Sequence, residues 1–153
     1  MTSKKRVVLI TGAESGIGKS TSKIFLDNGY KVICTYLKNN NNKNTKDIEY
    51  HRIDITKNKD WENLALYIKK KFKKIDVLVN SAGVRLSGNL ETTSMSDWSY
   101  HLNNNVTGTF LACKYILPFL KKAKNSSIIN VASINSIRGC LLYTSDAADD
   151  TSR

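Results

Sequence analysis

The sequence Thr11-Gly12-Ala13-Glu14-Ser15-Gly16-Ile17-Gly18 decides the fold of this chain. It follows an apolar run, Val7–Ile10, and opens a segment of helical pattern that extends to Asn28. A glycine-rich turn between a strand and a helix lets the backbone approach a bound phosphate closely. The first N–H groups of the helix and its positive dipole end then favour that anion. An ordinary strand-to-helix turn has the same pattern and is the alternative when the loop is considered alone.

Length and composition predict one soluble domain. The chain has 153 residues and 41% hydrophobic content, which is enough for a buried core. The net charge of +11 raises the question of nucleic acid. Many of the lysines cluster at 69–74 and 121–124, where predicted helices end and cations are favourable. We therefore expect no nucleic-acid partner. The alternative, a basic nucleic-acid-binding protein, would show a steep salt dependence of DNA affinity.

Cysteine spacing and hydropathy favour a cytoplasmic location. Cys34, Cys113 and Cys140 lie in no metal-ligand spacing, so we predict no metal site and interpret Cys34 and Cys113 as small buried side chains. No stretch reaches the ~18 apolar residues of a membrane-spanning helix. The apolar run after Lys4-Lys5-Arg6 is also too short for a signal peptide. We therefore expect neither a membrane partner nor export.

Strands and helices alternate along the rest of the chain. Gly29 is expected to cap the first helix in a left-handed conformation, the polar run 39–44 is expected to be a surface loop, and Pro118 should bend or tighten the last helix. This alternation predicts an α/β fold with a doubly wound parallel sheet of the Rossmann type. Further strands are predicted at 31–36, 50–53, 75–79 and 127–131, and further helices at 61–72 and 96–118.

Four later segments occur in an order that supports the glycine loop. Asp54 follows the third strand, Asn80-Ser81-Ala82-Gly83 follows the fourth, Asn105 begins an Asn-x-x-Gly-x-Phe pattern, and Ser133 closely follows the fifth strand. Together with the loop they resemble the short-chain dehydrogenase/reductase family. The resemblance implies an NAD(P)-dependent oxidoreductase, an enzyme that exchanges hydride between a nicotinamide cofactor and a small carbonyl or alcohol substrate.

The resemblance also implies which residues bind the cofactor. Asp54 is expected to hydrogen-bond the adenine amino group, although a turn residue without a ligand is an equal alternative in isolation. Leu37 and Lys38 follow the second strand, where an acid would favour NAD and a cation NADP. We expect NADP(H), with NAD possible and a solvated Lys38 as the alternative. The cofactor-binding residues are predicted to be Gly12, Ser15, Gly16, Ile17, Gly18, Lys38, Asp54, Ile55, Asn80, Ala82 and Gly83.

Two catalytic residues are carried over from the family. Ser133 is expected to donate a hydrogen bond to the substrate carbonyl oxygen as that oxygen gains charge. Ser136 is its nearest competitor, and register with Asn130 favours Ser133. Asn105 is expected to hold a water molecule in the proton relay. His101 invites assignment as a general base, but a solvated surface histidine is the interpretation we favour.

The resemblance ends near Gly139. Counting from Ser133, the tyrosine of the family's Tyr-x-x-x-Lys motif falls at Asp146. The nearest tyrosine, Tyr143, is followed four residues later by Ala147, and no lysine occurs after Lys124. We therefore expect that the chain as written lacks the motif and has no reductase activity.

The resulting domain division has two parts. Residues 1–139 are predicted to form an incomplete dinucleotide-binding domain, roughly the N-terminal three-fifths of the family fold. Residues 140–153 are predicted to be a tail outside the family, and a frameshift or joined sequence is our hypothesis for it.

Within the family, residues 88–93 and the long helix after them are most similar to 3-oxoacyl-carrier-protein reductases and sugar-alcohol dehydrogenases. The resemblance implies a homo-oligomeric parent protein, with apolar surface between 106 and 117 exposed in this fragment. A non-catalytic NADP(H)-binding sensor is the alternative function.

Overall fold

Five parallel strands form one sheet in the order β3-β2-β1-β4-β5. The structure, a computed structural model, describes residues 5–38, 43–86 and 88–133. This sheet confirms the doubly wound α/β fold. The strands are β1 Val7–Ile10, β2 Lys31–Tyr36, β3 Ile48–Arg52, β4 Val77–Asn80 and β5 Ser127–Asn130. The helices are α1 Gly16–Asp27, α2 Asn58–Lys71, α3 Met95–His101 and α4 Gly108–Leu120, with a π-helical segment at Leu102–Thr107.

The order of the strands reverses at β1, and this reversal positions the functional site. The chain proceeds from β1 outward to β2 and β3, then returns to place β4 on the other side of β1. Val8 of β1 pairs with Val32 on one side and with Val77 on the other. In open parallel sheets, the crevice beyond the carboxyl ends of the strands at such a reversal is where ligands bind.

The two faces of the sheet are covered by separate apolar clusters. On one face, Trp61 and Ile68 of α2 pack with Leu111 and Ile116 of α4, and all four are buried. The indole N–H of Trp61 donates to the Ile55 carbonyl oxygen at 2.8 Å, so this fully buried ring satisfies its one donor. The other cluster contains Val8, Ile10, Val32, Cys34, Ile48, Val77 and Val79, with Phe25 and Leu26 of α1 packed against it.

Most predicted elements are confirmed, and the differences lie at their ends. β2 has the predicted bounds, and Gly29 adopts a left-handed conformation with φ of 79°. β3 begins at Ile48, two residues before the predicted start. β4 begins at Val77, two residues after its predicted start, although the side chain of Ile75 is also buried. Pro118 lies inside α4, two residues before its end. Of the predicted loop 39–44, residues 39–42 lie outside the described residues.

A charged cluster connects the edge strand β3 to α2. The Lys71 ammonium group lies 2.6 Å from Glu49 Oε1, the Tyr67 hydroxyl donates to Glu49 Oε2, and Lys71 Nζ also donates to that hydroxyl at 2.9 Å. Burial raises the pKa of Glu49, but the hydrogen bonds from Lys71 and Tyr67 outweigh it, so the pKa lies below its usual 4.5. We call Glu49, Tyr67 and Lys71 the β3–α2 brace.

Several apolar side chains of the long helical stretch face solvent. Val106 is 60% exposed, Phe110 61% and Leu117 42%, which confirms the expected exposure at these three positions. Leu111 and Ile116, between them in sequence, face the core. None of the helices in the described part of the chain combines the length and apolar character needed to cross a membrane.

Candidate functional site

A cavity of about 540 Å³ lies beyond the carboxyl ends of the central strands. The glycine loop, the end of β2 and the segment after β4 form most of its wall, and the Tyr100–Asn104 region closes one side. Its lining residues are Gly12, Glu14, Ser15, Gly16, Ile17, Thr35, Tyr36, Leu37, Lys38, Ile53, Ile55, Ser81, Ala82, Gly83, Val84, Tyr100, Asn104 and Val131.

The three loop glycines have different structural roles. A Cβ atom at Gly12, where φ is +65°, would lie 2.8 Å from Ala82 Cα. Gly18 is buried, and a Cβ there would collide with the carbonyl group of Gly12, so this glycine lets the helix start pack under the loop. Gly16 has φ of +51° and open space where its Cβ would point. The open side of the loop is therefore at Gly16, whereas Gly18 does not line the cavity.

Thr11 holds the segment after β4 against the glycine loop. Its buried hydroxyl accepts hydrogen bonds from the backbone N–H groups of Ser81 and Ala82, both at 3.0 Å. Its own N–H donates to the Val79 carbonyl at 3.0 Å. We did not predict this role for Thr11, although a hydroxyl directly before the first glycine was a usable signal.

Asn80 acts between strands and does not reach the cavity wall. Its side-chain N–H donates to Asn130 Oδ1 at 2.8 Å, which confirms the predicted tie between neighbouring strands. Ala82 and Gly83, which follow it, do line the cavity. The motif therefore combines a buried connection between β4 and β5 with a stretch of small residues beside the loop.

Asp54 closes a turn and is absent from the cavity wall. Its Oδ1 accepts from the backbone N–H of Thr56 at 3.0 Å and from the Thr56 hydroxyl at 2.7 Å, and Lys57 Nζ lies 3.6 Å from Oδ2. Burial raises the pKa of Asp54, but these hydrogen bonds and the charge of Lys57 lower it overall. These contacts agree with the turn interpretation of Asp54, and its role toward an adenine ring remains a prediction, whereas its neighbours Ile53 and Ile55 line the cavity.

Two charged side chains of opposite sign stand at the cavity wall near the end of β2. Lys38 lines the cavity as predicted for a cofactor-facing residue, and Glu14 reaches the same region from the glycine loop. Glu14 Oε1 accepts from the Leu37 backbone N–H at 3.4 Å. Sequence reasoning missed Glu14, because this contact joins positions 23 residues apart.

Asn105 fixes the segment after β4 from the helix side. It lies in the π-helical segment, a rare geometry that often marks functional sites. Its Oδ1 accepts from the Val84 N–H at 2.8 Å and its Nδ2 donates to the Val84 carbonyl at 3.0 Å. The backbone carbonyl of Asn105 accepts from the Thr109 hydroxyl at 2.9 Å. The described contacts of the Asn105 side chain are thus with the backbone, and its role toward a water molecule remains a prediction.

His101 is a second clamp one turn before Asn105. Its Nε2 accepts from the Leu86 N–H at 2.8 Å, so the proton of a neutral imidazole resides on Nδ1. His101 is partly exposed, which agrees with its interpretation as a surface histidine, but its hydrogen bond to Leu86 was not predicted. It was missed because the partner is a backbone group 15 residues earlier, which no helical pattern reveals.

A second cavity, about 410 Å³, adjoins the clamped segment. Its wall includes Leu86, Gly88, Thr92, Thr93, Asp97, Trp98, His101, Leu102, Asn105 and Val106. Asn105 and His101 thus hold residues 84–86 and also contribute to this wall. Asn105, the predicted catalytic asparagine, thus lines the second cavity and does not line the first.

Ser133 lies three residues beyond β5 and is exposed. The Val131 N–H donates to the Asn80 carbonyl at 2.9 Å, which keeps the start of this segment beside β4. The competitor Ser136, the tail 140–153, and Tyr143, Asp146 and Ala147 within it lie outside the described residues. The catalytic assignment of Ser133 remains a prediction.

A Tyr-x-x-x-Lys pattern does occur earlier in the chain, at Tyr67 and Lys71, so its predicted absence holds only for the region after Ser133. These residues belong to the β3–α2 brace. Burial and the hydrogen bond to Glu49 raise the pKa of Tyr67. That direction is opposite to what a tyrosine needs to exchange protons near neutral pH, and neither residue lines the large cavity.

Comparison with known proteins supports this geometry. Residues 6–147 match the family model described as short chain dehydrogenase. The chain is 32% identical to a 3-ketodihydrosphingosine reductase of Bacteroides thetaiotaomicron, over 88% of the chain and 49% of that protein. It is also 32% identical to a 3-oxoacyl-[acyl-carrier-protein] reductase of Thermotoga maritima, over 88% of the chain and 58% of that protein. The chain thus spans about half to three-fifths of these relatives.

Solved structures agree in fold and differ in the cofactor that they carry. A variant of ElxO with NADPH bound superposes with a TM-score of 0.81 at 33% identity, over 90% of this chain and 59% of that one. A short chain dehydrogenase from Leptospira borgpetersenii with bound NAD+ gives 0.80 at 26% identity, over 88% of this chain and 54% of that one. The family match extends eight residues past Gly139, from 139 to 147, and the domain boundary at Gly139 remains a prediction.

Proposed function

The chain belongs to the short chain dehydrogenase family, and from this premise we propose that it forms the nicotinamide-binding part of an oxidoreductase acting on a small carbonyl or alcohol substrate. The observation that carries the proposal is the cavity between the glycine loop and the segment after β4. Its wall is open at Gly16 and is held in shape by Thr11 on one side and Asn105 on the other. When bound, the cofactor would supply or accept the hydride.

The residues at this cavity suit a dinucleotide. α1 begins at Gly16, and its first N–H groups have no partner within the helix, which favours a pyrophosphate there. The Ser15 side chain makes no capping hydrogen bond to the helix. Gly16 presents no side chain to the open space. Ile53 and Ile55 offer apolar surface for an adenine ring at the other side of the cavity.

NADP(H) is the cofactor that we propose for this site. Lys38 stands at the cavity wall directly after β2, where a cation attracts the 2′-phosphate. NAD(H) has the same dinucleotide framework, and structures similar to this chain carry either NADPH or NAD+. The preference is therefore a property of the few side chains near Lys38.

A 3-oxoacyl compound is the substrate that we propose. Both relatives named above reduce, by their names, a keto group at the third carbon of a chain. In this scheme the Ser133 hydroxyl donates to the substrate oxygen, and Asn105 keeps the segment 84–86 in place beside the second cavity. The proton donor is not supplied by these two residues, so we expect no turnover from the 153-residue chain as written. A non-catalytic NADP(H) sensor is the second candidate, and the lack of a Tyr-x-x-x-Lys motif after Ser133 favours it.

We further propose that the whole protein is cytoplasmic and homo-oligomeric. The exposed apolar side chains of Val106 and Phe110 support the second statement, because a partner surface would cover them. Light scattering on a version extended by the C-terminal half of a family member should give a mass of at least two subunits, and a monomer would contradict the proposal.

Cofactor titration tests the proposed function directly. NADPH and NADH are titrated by fluorescence into the wild-type chain, into Gly16→Val and into Gly16→Ala. Both substitutions strain the backbone at φ of +51°, valine more than alanine because it is β-branched, and only valine fills the open side of the loop. Thermal unfolding of both variants separates a loss of binding from a loss of folding. We expect valine to weaken binding at least tenfold more than alanine. Equal affinity in all three proteins would contradict the assignment of the cavity.

The catalytic part needs a second assay. NADPH oxidation with acetoacetyl thioesters is compared between this chain and a version extended by a Tyr-x-x-x-Lys segment and the C-terminal half of a family member. We expect turnover only in the extended protein, and comparable rates in both would show that the proton donor lies within this chain.

A further inference from the structure

Two side chains of opposite charge, Lys38 and Glu14, line the cavity near the end of β2. Lys38 follows β2 in sequence, whereas Glu14 comes from the glycine loop, and both line the cavity of about 540 Å³. The Leu37 N–H donates to Glu14 Oε1 at 3.4 Å, which ties the carboxylate to the first residue after β2. The two charges form no ion pair within 4.0 Å among the described residues.

The second carboxylate oxygen of Glu14 is incompletely satisfied. Glu14 Oε2 is buried and has no hydrogen-bond partner in the part of the chain that the structure describes. A buried acceptor without a partner is costly, so a ligand that donates a hydrogen bond to it gains affinity. This oxygen belongs to a side chain of the cavity wall but is itself covered, so a donor in the cavity reaches it when the carboxylate turns toward the cavity.

The position of Glu14 has a specific chemical meaning in a dinucleotide site. An acid directly after the second strand usually accepts a hydrogen bond from the 2′-hydroxyl of the NAD ribose. Leu37 and Lys38 provide no acid there, and none occurs among 39–44. Glu14 brings a carboxylate to the same place from a different element, because its Oε1 is bound to Leu37.

We propose that Glu14 is a specificity-determining residue that binds the cofactor ribose and disfavours NADP(H), in opposition to Lys38. The inference rests on the proposed function, since it requires a nicotinamide dinucleotide in this cavity. The 2′-hydroxyl of NAD(H) donates to Glu14 Oε2. The 2′-phosphate of NADP(H) is a dianion or nearly so at neutral pH, and it is repelled by the carboxylate. Lys38 attracts the same phosphate, so the selectivity of the wild type is a balance of the two side chains.

The test measures dissociation constants for NADH and NADPH by equilibrium fluorescence titration of the 153-residue chain. The variants are Glu14→Gln, Glu14→Ala, Lys38→Met and, as a control, Asp27→Asn. Glutamine keeps an acceptor for the Leu37 N–H and removes the charge. Asp27 is an exposed acid at the far end of α1, so its variant removes the same charge away from the cavity. Thermal unfolding of each protein, with and without cofactor, checks that the variants fold.

We expect Glu14→Gln and Glu14→Ala to lower the ratio of the NADPH to the NADH dissociation constant by about tenfold, the effect of removing one close like charge. Lys38→Met should raise this ratio, and Asp27→Asn should leave it unchanged. If the wild type binds cofactor and both Glu14 variants change the ratio less than twofold, Glu14 has no selective role while the proposed function stands. An equal loss of both cofactors in the two variants makes Glu14 a loop support only and overturns the inference. If the wild type binds neither cofactor, the proposed function falls and the inference falls with it.

Discussion

The hydroxyl of Thr11 offers a sharp test of how the wall of the proposed cofactor cavity is held together. It is buried and accepts from two backbone N–H groups, those of Ser81 and Ala82, at 3.0 Å each. Thr11→Val replaces this hydroxyl by a methyl group of similar size, so packing is nearly unchanged while both N–H groups lose their acceptor. A neutral intramolecular hydrogen bond contributes about 0.5–1.5 kcal/mol net, so two bonds give a loss of about 1–3 kcal/mol.

Thr35, which lines the cavity that Thr11 supports from behind, provides a matched control for the hydroxyl. It is buried to the same degree, but its Oγ1 has no hydrogen-bond partner among the described residues. Thr35→Val removes an unsatisfied polar group, so we expect a change within about 0.5 kcal/mol or a small gain in stability. The two substitutions are chemically identical, and only the hydrogen-bonding of the hydroxyl differs between the sites.

Urea unfolding followed by circular dichroism gives the free energy of unfolding of both variants, of the wild type and of Thr11→Ser, which retains the acceptor. Thermal unfolding of the same proteins gives their melting temperatures. A loss of about 1–3 kcal/mol should lower the melting temperature by about 2–12 °C for a chain of this size. Thr11→Val should also weaken cofactor binding, because Ala82 and Gly83 line the cavity. Equal destabilisation by Thr11→Val and Thr35→Val would refute the reasoning, since packing alone would then account for both.

Two further predictions concern the β3–α2 brace and the clamp on residues 84–86. Because the pKa of Glu49 is lowered in the folded state, its stabilising contribution is present above pH 4.5 and is lost as the pH falls through the folded value. Glu49→Gln should therefore lower the free energy of unfolding by about 1–3 kcal/mol at pH 7. In urea titrations the difference in this free energy between variant and wild type should shrink toward pH 3, and a difference independent of pH would contradict the prediction. His101→Phe removes the acceptor of the Leu86 N–H, so hydrogen exchange at that amide should accelerate at least tenfold. His101→Asn keeps a polar side chain and tests whether another acceptor can protect the amide. Unchanged exchange in His101→Phe would contradict the predicted role of His101.

The central strands were predictable because their side chains are almost uniformly apolar. Val7–Ile10 and Lys31–Tyr36 are buried on both faces, and such strands leave a continuous hydrophobic run in the sequence. The start of β3 was not predictable in this way. Glu49 is charged, and it is accommodated in the strand only because Tyr67 and Lys71 reach it from α2. A local sequence pattern therefore does not predict the start of a strand where a long-range ion pair replaces apolar packing.

The candidate site was predictable in its glycines and only partly in its polar residues. Gly12 must be small because Ala82 approaches it, and sequence spacing carries that information. Asp54 shows the limit, since an aspartate before a helix suits both a ligand and a turn, and the contacts with Thr56 favour the turn. Glu14 and His101 act on backbone groups 23 and 15 residues away, so their roles became visible only with the tertiary structure.

The pair Tyr67 and Lys71 shows why spacing alone does not make a catalytic dyad. Four residues along a helix bring the ammonium group to 2.9 Å from the phenol oxygen, and a cation at that distance lowers the pKa of a tyrosine. Here the Glu49 carboxylate accepts a hydrogen bond from the phenol, and together with burial this hydrogen bond outweighs the lysine and raises the pKa of Tyr67. A tyrosine that must exchange a proton with a substrate needs the lysine without the competing carboxylate. We therefore predict that a tyrosine acting as the proton donor with Ser133 has no acidic hydrogen-bond partner of this kind.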